Sequence, residues 1–232
     1  MKGMARITDF GGEGFCEMTD WYRRETWTKN DEAQFFAKLG RAWKTSRSQY
    51  LKIQAMTLIA TRRKELLRIA EMLLMKVLSD HPDDRTEISS TYSSLGAIYQ
   101  IQGDYDRALE YFKRSMDYET GFPNVRTGSN VCFAEVVVQS GKTELYNEAE
   151  QILLTEINAK GLKWPYQDYI VYSLLSIISK FNGDHAQATR YAGLAEENAN
   201  AKTNTLWNPR KNKLGLVENR IEWLDKLVSA DR

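Results

Sequence analysis

The chain has 232 residues, 42% of them hydrophobic and 27% charged, and a formal net charge of +1. This composition is typical of a folded globular protein and excludes a disordered or fibrous one. The small net charge also excludes recruitment of nucleic acid or of an anionic membrane by the charge of the whole molecule.

No segment is apolar enough to cross a membrane. A spanning helix needs about 18 apolar residues, whereas the most apolar run, residues 70–78, is interrupted by Glu71 and Lys76. The first residues also lack the basic region and the following apolar region of a secretory signal. We therefore expect a cytoplasmic protein without a membrane partner.

The beginning of the chain has two parts that differ in composition and pattern. Residues 1–17 contain several glycines and no helical period, which predicts a flexible N-terminal arm. Residues 18–232 are predicted to form a single helical domain. It begins with an amphipathic helix over residues 28–39, whose apolar side carries Phe35 and Leu39.

Residues 33–64 form a basic segment without any Asp or Glu. Its eight positive charges are Lys38, Arg41, Lys44, Arg47, Lys52, Arg62, Arg63 and Lys64. The first four step by three, so on a continuous helix they would share one broad side and could bind a phosphate backbone or an acidic partner. Alternatively, the charges only solvate the outer side of a first hairpin, with Trp43 and Tyr50 in its core.

The clearest structural unit spans residues 89–120. One predicted helical face carries Tyr92, Leu95, Gly96 and Tyr99, and the next carries Ala108, Phe112 and Ser115. Gly103 and Asp104 lie between them and end the first helix. This pattern predicts a helical hairpin in which Gly96 and Ala108 lack bulk and let the two helices approach closely.

These residues resemble a tetratricopeptide repeat (TPR), whose pattern is an aromatic residue, Leu-Gly, Tyr, Gly-Asp-Tyr, Ala and Phe. Ser115 and Thr120 depart from it, where the family usually has alanine and proline. The segment 122–127, FPNVRT, together with WYRRETWT near the start, also resembles a motif of uncharacterised bacterial proteins with such repeats. That resemblance implies a bacterial origin and no particular activity.

Weaker copies of the unit flank it on both sides. The central unit and its weaker copies have alanines at equivalent positions, which lie about 40 residues apart, against about 34 in a regular TPR. These are Ala70, Ala108, Ala149 and Ala188. The resemblance implies an all-α fold, a right-handed α-α superhelix of about four TPR-like hairpins. A stripe of Leu216, Val217, Ile221, Leu224 and Val228 predicts a final helix that caps the stack.

Charge differs between the first two hairpins. Acids outnumber bases over residues 80–119, next to the basic segment. This arrangement predicts either charge matching within the molecule or a weak head-to-tail homo-oligomer.

Catalytic and cofactor-binding patterns are missing from the sequence. The two histidines, His81 and His185, are far apart, as are the two cysteines, Cys16 and Cys132. The glycines near the start neither follow a strand nor open a helix, which excludes a phosphate-binding loop. We expect no enzyme activity, no metal and no cofactor.

The inner side of the stack is the usual binding surface of TPR proteins. On this side we place Ser90, Ser93, Ala97 and Gln100 of the central unit, and Ile170, Ser173 and Ile177 of the fourth. TPR domains that clamp the acidic tails of chaperones present lysine, asparagine and arginine there, which this set lacks. A groove of this kind suits an apolar or weakly polar helix or an extended peptide.

Three functions are compatible with this sequence. The first is an adaptor that binds a peptide or helix of another protein in its groove. The second is a regulator that contacts nucleic acid or an acidic partner through the basic segment, and the third is a protein that neutralises a toxin.

Overall fold

The computed structural model describes residues 20–122, 124–159, 164–204 and 213–229, so the predicted arm over residues 1–17 lies outside the described residues. Within these ranges the chain is helical and contains no strand. The α-helices are α1 (Lys29–Arg41), α2 (Lys44–Ala60), α3 (Lys64–Asp80), α4 (Ile88–Gln102), α5 (Tyr105–Gly121), α6 (Ser129–Gln139), α7 (Tyr146–Asn158), α8 (Pro165–Phe181), α9 (His185–Ala199) and α10 (Glu222–Ser229). The prediction of an all-α fold is confirmed.

Consecutive helices pack against each other and form an all-α solenoid. The most extensive contacts pair α2 with α3, α4 with α5 and α8 with α9, and α6 pairs with α7. The alanines Ala70, Ala108, Ala149 and Ala188 are all buried, each on the second helix of its pair. Small residues at equivalent positions therefore occupy the helix contacts, as the repeat pattern predicted.

The turn of the central hairpin recurs in the last one. Gly103 ends α4 at a φ of 78°, a conformation that glycine adopts without the steric strain of a Cβ atom. Asp104 then caps α5 by accepting a hydrogen bond from the Arg107 backbone N–H. Gly183 and Asp184 repeat both features before α9. The shared Gly-Asp pair explains why these two hairpins have matching turns.

The closest contact at Gly96 is with the ring of Phe112 on the facing helix. A Cβ atom at Gly96 would lie 2.7 Å from ring atoms of Phe112, and Ala108 is not among the three nearest atoms. Phe112 is completely buried. The glycine therefore makes room for the Phe112 ring, and Ala108 is buried on the partner helix of the same hairpin.

The connection between α5 and α6 is held by a buried polar network. Glu119 accepts hydrogen bonds from the Thr127 N–H at 2.9 Å, the Thr127 hydroxyl at 2.6 Å and the Ser89 hydroxyl at 2.9 Å. Ser115 and Ser129 continue it through a 2.9 Å hydrogen bond between their hydroxyls. Ser115, which stands where the TPR pattern has alanine, thus supplies a hydrogen bond to this network.

The C-terminal stripe is only partly helical. Helix α10 begins at Glu222, so Leu216 and Val217 precede it and the predicted final helix is shorter than expected. Leu224 is fully buried and α10 packs on α8. Among the described residues no helix is both long and apolar enough to span a bilayer.

Candidate binding groove

An open cleft of about 760 Å³ lies on one side of the stack. It is lined by the end of α2, the C-terminal half of α4, the first residue of α5, the partly buried side of α6, the start of α8 and the start of α10. Helices α2, α4, α6 and α8 are the first members of the four pairs. The cleft therefore lies mainly along the first helices of the pairs.

Two of the predicted groove residues line this cleft, Ala97 and Gln100 of α4. Ser90 and Ser93 are half-buried on the same helix but do not line it, and the Ser90 hydroxyl accepts a 3.0 Å hydrogen bond from Lys52. The central unit thus contributes its C-terminal half to the cleft.

The predicted groove residues of the fourth hairpin lie elsewhere. Ile170 and Ser173 are buried, with exposed fractions of 6% and 1%, so their placement on an open groove is corrected. Ile177 is half-buried and packs against the hydrophobic core. Helix α8 contacts α6, α7, α9 and α10, and these neighbours cover the face that the helical period assigned to the groove. Tyr166, in the first turn of α8, lines the cleft instead.

Glu135 is a cleft residue that the sequence analysis did not identify. It lies on α6 and lines the cleft, and burial raises the pKa of its carboxyl group, an effect that a hydrogen bond from Gln100 and the charge of Arg62 partly oppose. No basic side chain of the described chain forms an ion pair with it. Glu135 is also the one charged residue in SNVCFAEVVVQ, the sequence of α6. A lone charge in an apolar helix was the signal that could have identified it.

Two amide side chains lie in the same part of the cleft as the Glu135 carboxyl group. The Gln100 amide donates a 3.1 Å hydrogen bond to the side-chain oxygen of Gln139, which also lines the cleft. Aromatic rings of Tyr105, Tyr166 and Trp223 complete the lining. The cleft therefore combines hydrogen-bonding amides, aromatic surface and one desolvated acid.

The basic segment does not form a continuous helical face. Helix α1 ends at Arg41 and Ala42 is extended, so the continuous helix on which Lys38, Arg41, Lys44 and Arg47 would share one side does not form. Arg47 instead donates hydrogen bonds to the carbonyl oxygens of Gly40 at 2.6 Å and Ala42 at 3.1 Å. These oxygens lie at the C-terminal end of α1, where a cation is favourable.

Other charges of the segment also have internal partners. Lys52 forms an ion pair with Glu87, and Arg63 pairs with Glu65. Arg41, Lys44, Arg62 and Lys64 are exposed, and Lys38 is half-buried. The positive charges are therefore divided between the α1–α2 junction, the α2–α4 contact and the α2–α3 turn. This division does not favour a single nucleic-acid surface, and the nucleic-acid hypothesis stays a prediction.

The aromatic residues of the segment separate as well. Trp43 is 85% exposed, so the interpretation that placed it in the core is wrong. Tyr50 is half-buried and packs against Trp21 and Tyr22. Trp43 lies in the extended junction between two helices. Helical periodicity therefore cannot predict whether its side chain is buried.

The remaining reactive groups do not converge. His81 caps the end of α3, His185 is exposed at the start of α9, and burial raises the pKa of the Cys132 thiol to about 12, so it stays protonated at neutral pH. Cys16 lies outside the described residues. Within the described ranges no group of three or more His, Cys, Asp or Glu residues could hold a metal ion.

Tyr169 fixes the part of the cleft that α10 contributes. Its hydroxyl donates a 2.7 Å hydrogen bond to Asp225 and accepts one of 3.1 Å from the Ile221 N–H. Burial, followed by the bond to Asp225, raises the pKa of this phenol to about 12. Because Ile221 and Trp223 line the cleft, this buried hydroxyl positions one wall of it.

Replacing Tyr169 with phenylalanine leaves both partners without the hydroxyl, and we expect it to lower the free energy of unfolding by about 1–3 kcal/mol. Amide hydrogen exchange should accelerate over residues 221–229. Tyr172→Phe is the matched control, since its hydroxyl makes no hydrogen bond within the described chain. Equal effects of the two substitutions would show that the hydroxyl does not hold α10.

Comparison with known proteins identifies one distant relative. The chain is 28% identical over 92 residues to uncharacterized protein ycf37 of Cyanophora paradoxa, a match that covers 40% of this chain and 52% of that protein. The chain thus spans about half the length of this relative. No protein-family model matches the chain, and no solved structure matches it.

Proposed function

We propose that this protein is a non-enzymatic interaction module, built of TPR-like hairpins, that binds an extended peptide or a helix of another protein in its inner cleft. The observation that carries the proposal is the open cleft of about 760 Å³ along the first helices of the four pairs. Pockets that bind small molecules occupy about 300–1,000 Å³, so this cleft is large enough to hold several side chains of a bound peptide.

The lining has the chemistry that peptide recognition requires. Side-chain amides such as Gln100 and Gln139 can donate to and accept from a peptide backbone, which carries one donor and one acceptor per residue. Tyr105, Tyr166 and Trp223 supply rigid surface that buries apolar side chains at a small entropy cost. Together they provide backbone hydrogen bonding and apolar contact in the same cleft.

Ala97→Arg tests this proposal. Ala97 is a half-buried, small residue of the lining, so an arginine side chain there would extend into the cleft and exclude a ligand. We expect folding to be retained and the affinity for peptides selected from a random displayed library to fall by about 10-fold or more, as for loss of a central contact worth over 1.4 kcal/mol. Isothermal titration calorimetry measures the affinities.

Ala186→Arg introduces the same side chain at an exposed position of α9, away from the cleft. This control should bind the selected peptides like the unmodified chain. A library that yields no binding peptide, or peptides that bind equally to both variants, would contradict the assignment of the cleft as the binding surface.

A further inference from the structure

We infer that the cleft contains a subsite for a cationic side chain, a lysine or arginine of the bound peptide, with Glu135 as its anionic partner. The inference rests on the proposed function and specifies the peptide that the cleft accepts. It begins from the position of Glu135, which lines the cleft from α6, between the buried residues Ala134 and Val136.

The carboxyl group of Glu135 is partly buried and forms no ion pair with a described basic side chain. Within the described part of the chain its polar interaction is with the neutral Gln100 amide, and Arg62 acts on it only through its field. Removing a charge from water without an ion-pair partner is unfavourable. A cation carried in by a ligand would remove this cost, so the cleft is complementary to positive charge at this point.

The neighbouring rings favour the same class of ligand. Tyr166 lies close enough to Glu135 for the carboxylate to contribute to the raised pKa of its phenol, after burial as the main cause. Tyr105 and Trp223 line the same cleft. Aromatic faces attract lysine and arginine, and the attraction is larger where water is excluded. A carboxylate close to Tyr166, in a cleft with two further aromatic rings, therefore suits a basic side chain better than a neutral amide.

Arg62 opposes this preference only weakly. It also lines the cleft, but its side chain is exposed, so water and salt screen its charge. Glu135 is more buried than Arg62, so its charge is screened less by water and salt. We therefore expect Glu135, and not Arg62, to set the charge preference of the part of the cleft beside α6.

The test uses random peptides displayed on phage and selected against the full chain. We expect the selected peptides to share a lysine or arginine. Replacing that residue with glutamine should weaken binding to the unmodified chain by about 10-fold or more, the usual result of leaving a desolvated charge unpaired. The same peptide change should have little effect on the Glu135→Gln variant, because the two changes remove one interaction.

Arg62→Gln provides the second variant, with an exposed side chain whose loss does not threaten folding. Removing its positive charge should strengthen binding of the lysine or arginine peptides, the opposite direction to Glu135→Gln. Weaker binding to Arg62→Gln, or selected peptides that share an acidic residue, would overturn the inference.

The outcomes separate this inference from the proposed function. Peptides that bind in the cleft, lose affinity with Ala97→Arg and share no basic residue would leave the proposed function standing and overturn the cationic subsite. Failure to select any peptide would contradict the proposed function itself, and the subsite would fall with it.

Discussion

Replacing Phe112 with alanine should lower the free energy of unfolding by about 3–5 kcal/mol, the usual cost of removing a fully buried aromatic side chain. The Phe112 side chain is 0% exposed and belongs to the core that joins α4–α5 to the following helices. The substitution removes apolar burial and leaves a cavity beside Gly96. Urea denaturation followed by circular dichroism measures the change.

Trp43→Ala is the control for loss of an aromatic side chain. Since Trp43 is 85% exposed, its removal should change the stability by less than about 0.5 kcal/mol. Comparable losses at the two positions would mean that Phe112 is not the central side chain of the α4–α5 contact.

The contact between Phe112 and Gly96 predicts that the effect of Gly96→Ala on stability changes sign when the Phe112 ring is removed. Alone, Gly96→Ala places a Cβ atom 2.7 Å from the ring, and the resulting overpacking should cost about 1–3 kcal/mol. In the Phe112→Ala background the ring is gone, and the higher helix propensity of alanine should make the same change favourable by about 1 kcal/mol. Additive effects in this double-mutant cycle would contradict the packing described for the hairpin.

Replacing Glu119 with alanine should destabilise the protein by about 3 kcal/mol, because hydrogen bonds to a charged acceptor contribute about 1.5–3 kcal/mol each and partly buried donors lose theirs. Those donors are the Thr127 N–H, the Thr127 hydroxyl and the Ser89 hydroxyl. They tie the loop after α5 to the first turn of α4. Thermal and urea unfolding measure the loss.

Glu119→Gln is the matched control, since glutamine keeps a side-chain oxygen that can accept from the same donors. We expect it to retain most of the stability that Glu119→Ala loses. An equal loss in both variants would indicate that charge, rather than the acceptor geometry, holds the connection.

This connection also bears on the cleft. Helices α4 and α6 supply Gln100 and Glu135 to neighbouring walls, and the Glu119 network joins Ser89 at the start of α4 to the segment that leads into α6. A change in the path of this segment would move the two walls relative to each other. We therefore expect Glu119→Ala to weaken peptide binding even under conditions in which the protein remains folded.

The sequence by itself determined the helical hairpins and the positions of the small residues at their contacts. Period, capping and turn chemistry act over a few residues, so the Gly103–Asp104 turn and the buried alanine series can be inferred from neighbouring residues. Gly96 can be identified as a close-contact position because it lacks a side chain on a helical face that otherwise carries Tyr92, Leu95 and Tyr99.

Only the tertiary structure decided which surfaces stay open. Ile170 and Ser173 share a helical face that the sequence assigned to the binding groove. Packing of α8 on its neighbours buries both residues. Arg47 turned inward to the end of α1, while Glu135 was left in the cleft. Burial of this kind depends on contacts between residues far apart in the chain, and the period of a single helix contains no information about which neighbour covers it.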